Sequence, residues 1–81
     1  MTDSTEKAQK IQFGLRLKEL RSRLGISQEA LADKAGLDRS YVSSCERGKR
    51  NVSLTNIYKF SSALEVSPSE LFPIECIKNE Q

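Results

Sequence analysis

The stretch that decides the fold runs from Ser27 to Gly48 and reads SQEALADKAGLDRSYVSSCERG. Ser27 precedes a short run of helix formers, Gln28 to Lys34, and its hydroxyl suits an N-cap. Gly36 follows where a helix would end in the left-handed conformation that glycine takes without strain. Asp38 then suits the cap of a second helix, from Arg39 to about Arg47, with Gly48 to close it. The strongly apolar side chains here are Leu31, Leu37, Val42 and Cys45, separated by small Ala30, Ala32 and Ala35. Leu31 and Val42 can meet under the turn while the other faces stay polar. Two short helices with apolar inner sides, joined by a tight glycine turn, make a helix-turn-helix. Such a unit lays its second helix in the major groove of DNA.

Outward from this motif the chain stays helical. Phe13, Leu17, Leu20 and Leu24 recur at i, i+4, i+7 and i+11, one face of a helix that Gly25 ends. Ile26 can fold back on that helix. Ile11 and Leu15 form a weaker strip, expected to cover the C-terminal part of the fold. Downstream, GKRNVS is a basic loop ending in Ser53, a cap for a fourth helix from Leu54 to Glu65. Leu54, Ile57, Phe60 or Ser61, and Leu64 give its buried face. In VSPSELF, Ser67 as N-cap, Pro68 at the first helical position and Glu70 three residues after Ser67 predict a capping box and a short fifth helix, which Pro73 ends. The expected fold is all-α, with five helices, short connections and no strand. Residues 1–8 are expected as a flexible lead, 9–73 as the DNA-binding domain with its C-terminal dimerisation helix, and 74–81 as a short acidic tail.

Composition agrees with this reading and narrows it. Eighty-one residues make one domain with a small core. The net charge is only +2, but from Arg16 to Lys59 ten Lys/Arg face five Asp/Glu. From Glu65 to Gln81 four Glu face one Lys. The middle therefore suits a polyanion and the tail does not. Two cysteines and no histidine leave no zinc spacing and no Cys/His catalytic pair. Cys45 reads as a reduced core cysteine. With no phosphate loop or metal cluster, an enzyme is excluded and no cofactor is implied. The absence of a signal peptide or long apolar run points to the cytoplasm.

Val42 and Cys45 mark the buried side of the second motif helix, so Arg39, Ser40, Ser43, Ser44 and Arg47 face outward. Arg39 can pair with guanine through two hydrogen bonds, and the short serines let the helix sit deep and read bases weakly. Tyr41 either packs on a backbone sugar or thymine methyl, or is a half-buried ring at the core's edge. Gln28, Arg47, Lys49, Arg50, Asn51 and Ser53 are expected on phosphates, with Tyr41 beside them. Glu46 is an acid on a DNA-facing helix, and Arg21 is its expected ion-pair partner.

The run LKELRSRLGISQEALADKAGLDRSYVSSCERGKRNVSLTNIYKFSSALEVSPSELF resembles the lambda-repressor-like helix-turn-helix family, over roughly residues 13 to 72. The marks are Gln28, Ala32, Gly36, Val42, and Glu46 followed by Gly48. LDRSYVSSCERGKRNVSL and VSPSELF are similar to the controller proteins of restriction–modification systems. That resemblance implies a compact domain, a homodimer on paired palindromic operators, and activation followed by repression of its own operon. It also puts Arg39, Ser40, Ser43 and Ser44 on base-reading positions, Gln28 on a phosphate-binding one, and Arg21 with Glu46 on a family ion pair. SQEALADK resembles an activating helix that touches the sigma subunit of RNA polymerase, with Glu29 and Asp33 on the contact positions. Ser44 and Cys45 stand where relatives often differ, so the operator does not carry over.

A single recognition helix reads few base pairs, so a dimer is expected on a palindrome. Val66, Phe72, Ile74 and Ile77 are its interface residues, with Leu71 or Phe72 given to the core. The alternative functions are a phage-type repressor and an antitoxin. An antitoxin would need a partner-binding segment beyond the few residues after Phe72.

Overall fold

The computed structural model describes residues 3–73. Four α-helices and one 3-10 turn account for the regular structure among them: α1 (Asp3–Leu24), α2 (Gln28–Ala35), α3 (Arg39–Glu46), α4 (Leu54–Leu64), then the 3-10 turn Pro68–Leu71. No strand occurs among the described residues. The expected fifth α-helix is thus a correction: only four residues fit between Ser67 and Phe72, and the chain is extended again at Phe72 before Pro73. Nor does a capping box form. The Ser67 hydroxyl lies 2.9 Å from that of Ser69. Glu70 turns to Arg16, whose Nε donates to the Glu70 carbonyl at 2.6 Å.

At the other end α1 begins at Asp3, so residues 3–8, expected as a flexible lead, form its opening turns. The buried face of α1 holds Phe13, Leu17 and Leu20, but Leu24 stays 37% exposed. Gly25, at φ 74°, swings the chain away directly after it. Ile26 packs against the core beyond that turn. Ile11 and Leu15 are exposed.

One core joins all the elements. Leu17, Leu31, Val42, Phe60 and Leu71 are fully buried and come one from each. On α4, Leu54 is 69% exposed although its spacing suggested burial. Phe60 and Ala63 draw the buried face about a quarter turn round the helix from Leu54. α1 crosses the end of α3 at Gly14, where a Cβ would sit 2.7 Å from the Glu46 carbonyl oxygen and closer still to that of Cys45. Glycine at this position lets the two backbones touch.

Candidate nucleic-acid interface

The motif is built as its caps dictate. The Ser27 hydroxyl accepts from the Ala30 amide at 3.0 Å, and Gly36 takes φ 72° as the amide of Leu37 reaches back to the Ala32 carbonyl at 2.8 Å. Asp38 has the extended backbone of an N-cap, but its side chain makes no capping bond. Leu31, Ala32 and Ala35 of α2 and Val42 and Cys45 of α3 form the inner side. Burial raises the Cys45 thiol above its usual range, as expected of a core cysteine.

On the other side of α3, Arg39 and Ser40 are exposed, and Ser43 and Ser44 are half-buried. Arg47 is exposed and folds along the helix, its Nη1 donating to the Ser43 hydroxyl at 2.6 Å. An exposed guanidinium and a row of short hydroxyls therefore cover one helix face.

Glu46 is buried, its side chain only 4% exposed, and three N–H groups satisfy it. Arg21 donates from Nε at 2.6 Å and from Nη2 at 3.0 Å, and Gln28 donates from Nε2 at 3.0 Å. Arg21 also donates from Nη1 to the Ile26 carbonyl at 2.9 Å, so one guanidinium ties α1, α3 and the turn before α2 together. Its pKa is raised by the bond to Glu46, against the opposing effect of burial. The acid that would repel phosphate is thereby neutralised inside the fold. Gln28 spends part of its amide on Glu46, a contact the sequence did not reveal.

Tyr41 is a half-buried ring, stacked on Phe60 with centroids 6.4 Å apart. Its hydroxyl accepts from Asn56 Nδ2 at 3.0 Å, and Arg50 lies over the ring at 5.2 Å. The ring's burial raises the phenol's pKa. Asn56 went unnoticed in the sequence because only the packing of α4 on α3 brings it to Tyr41. Lys49, Arg50 and Asn51 are exposed in the loop beyond α3. The Ser53 hydroxyl accepts from the Asn56 amide at 3.2 Å, capping α4. Glu29 and Asp33 are exposed one turn apart on α2.

Phe72 is 43% exposed with its ring 5.8 Å from that of Phe13, whereas Leu71 is the core residue. Val66 packs against the core, half-buried. Ile74 and Ile77 lie outside the described residues. The exposed Leu54 and Tyr58, one turn apart on α4, were not foreseen as surface groups.

A helix-turn-helix family model, HTH_3, matches residues 17–71, from the core face of α1 to the 3-10 turn. The chain belongs to this family. It is a DNA-binding transcription regulator, not an enzyme. Among its helix-turn-helix relatives, the control protein C.MunI of a Mycoplasma species is 53% identical over 64 residues, covering 78% of this chain and 86% of that protein. The restriction-modification controller protein C.AhdI from Aeromonas hydrophila superposes with a TM-score of 0.79 at 58% identity, covering 80% of this chain and 98% of that one. The Bacillus subtilis regulator SinR, solved in complex with DNA, gives 0.70 at 42% identity over 73% of this chain and 95% of that one. No described helix is long and apolar enough to cross a membrane.

Proposed function

We propose that the chain is the controller protein of a restriction–modification system, acting in the cytoplasm as a homodimer on palindromic operators, first activating and then repressing its own operon. The observation that carries this reading is the outward face of α3. Arg39, Ser40, Ser43 and Ser44 lie there, opposite Val42 and Cys45, in a sequence similar to two controller proteins. Arg39 reads a guanine through O6 and N7, and the serines follow the groove floor. Gln28 binds a phosphate at one margin, through the amide hydrogen that Glu46 leaves free. Arg47, Lys49, Arg50, Asn51 and the start of α4 at Ser53 bind phosphates at the other, with Tyr41 bracing Arg50.

An eight-residue helix is about 12 Å long and reads only a few base pairs, so two copies reading half-sites one turn apart supply the rest of the specificity. Phe72 is exposed apolar surface for that dimer, and Val66, Ile74 and Ile77 are the other residues we assign to it. Leu54 and Tyr58 add exposed area on α4. Glu29 and Asp33 are the contact offered to the polymerase sigma subunit.

The test is fluorescence anisotropy with the chain's own upstream DNA and a scrambled duplex. Arg39→Ala should lower operator affinity by about 1–3 kcal/mol and relax preference at one base pair. Equal loss on both duplexes would count against base reading. Methyltransferase and endonuclease genes beside this one would separate a controller from a phage-type repressor or an antitoxin.

A further inference from the structure

The family model begins at Leu17, yet α1 runs unbroken from Asp3. The two turns just before the matched stretch touch the loop that follows α3. Gly14 meets the last carbonyls of α3, and a Cβ on Gly48 would lie 2.9 Å from the Cα of Ile11. Lys10, one turn before Gly14 on the same side of α1, thereby shares one groove with Arg50 and Asn51. Phe13 and Phe72 line its apolar part.

We propose that Lys10 is a DNA-backbone contact outside the helix-turn-helix, completing a phosphate clamp with Arg50 and Asn51. The inference rests on α3 being the recognition helix. Lys10 and Arg21 are eleven residues apart, just over three turns, so they fall on one side of α1 about 16 Å from each other. Arg21 stands beside Gln28 at one end, and Lys10 lines the same groove as Arg50 at the other. A B-DNA major groove is about 12 Å wide, so Lys10 stands at a distance from the Gln28 end of α1 that suits the phosphates of the opposite margin. Glu6, one turn before Lys10, lines the same groove and opposes the attraction, which keeps the clamp weak.

The experiment measures affinity against salt for operator and scrambled DNA. It uses the full chain and the variants Lys10→Ala, Lys10→Arg, Glu6→Gln and Arg23→Ala. Arg23 carries the same charge on the opposite side of α1, about 220° round from Lys10. Lys10→Ala should weaken binding to both duplexes alike. It should lower the slope of log K against log salt by about 0.9, so that its deficit shrinks about 3.5-fold between 50 and 200 mM. Lys10→Arg should restore the slope, Glu6→Gln should tighten binding, and Arg23→Ala should leave the slope in place. An unchanged slope for a folded Lys10→Ala protein overturns the proposal. So does a loss confined to the operator, or an equal fall with Arg23→Ala. Arg39→Ala in the same series keeps the two readings apart. If it loses operator preference while Lys10→Ala changes nothing, α3 stands and the clamp falls. If it loses none, α3 itself is misassigned.

Discussion

Replacing Arg21 with methionine should expose how much of the fold hangs on one guanidinium. The Glu46 side chain is 4% exposed and that of Arg21 is 13% exposed, so neither charge is well hydrated. Two of the three N–H bonds to the Glu46 carboxylate come from Arg21. Methionine matches the buried length but gives no proton, leaving a buried anion held by one neutral amide. Stranding one member of a buried pair costs about 3–5 kcal/mol. A domain of this size has about 4–12 kcal/mol in total. In urea unfolding followed by circular dichroism, Arg21→Met should therefore lose about a quarter of its stability at the least and most of it at the other end of the range. Its Tm should fall by about 12 °C or more. Protein concentration must be held constant, since any self-association would stabilise the fold by mass action. Arg21→Met combined with Glu46→Leu removes the stranded charge and should return close to the parent value or above it. A single variant losing under about 1 kcal/mol would behave like an exposed pair and refute the reasoning. A double variant as unstable as the single would do the same.

Three other outcomes are expected. Gly14→Ala puts a methyl group against the carbonyls of Cys45 and Glu46, which as backbone cannot yield. The overlap, about 1–3 kcal/mol, should exceed the gain of about 1 kcal/mol in helix propensity, so an unchanged or raised Tm would contradict the contact. Burial raises the Cys45 and Tyr41 pKa values, so the folded state holds their protons more tightly than the unfolded chain does. The stability they contribute is complete below about pH 8.5 and declines above it, as the unfolded thiol and then the phenol ionise. Cys45→Ala should flatten that alkaline decline in urea midpoints, and an equally steep decline would show that the thiol plays no part. Finally, Glu29→Lys with Asp33→Lys should abolish activation in a transcription assay while operator binding persists, and undiminished activation would remove that surface from the mechanism.

Much of this protein is written in short-range chemistry. The Ser27 and Ser53 caps, the left-handed Gly36 and the Phe13–Leu17–Leu20 spacing act within a few residues, so the sequence alone determined four helices, the turn and the side α3 turns outward. Arg21 and Glu46 could be matched because an acid on a DNA-facing helix needs a cation. Other features depend on which elements come to lie together. The spacing of Leu54 said buried, but the packing of Phe60 and Ala63 rotated α4 and left it exposed. Ser67 and Glu70 spelled a capping box, but the chain turns extended at Phe72 after four residues, the Ser67 hydroxyl pairs with Ser69, and only a 3-10 turn forms. Nothing in the local sequence marks Gly14 as the point where α3 lies across α1. Asn56 on Tyr41 and Gln28 on Glu46 are likewise contacts between elements, and only the packing of α1 on the loop after α3 puts Lys10 and Arg50 along one groove. A cap or a period is settled by backbone geometry over a few residues, whereas these pairings follow from how whole helices cross, which is fixed only when all their side chains compete for one small core.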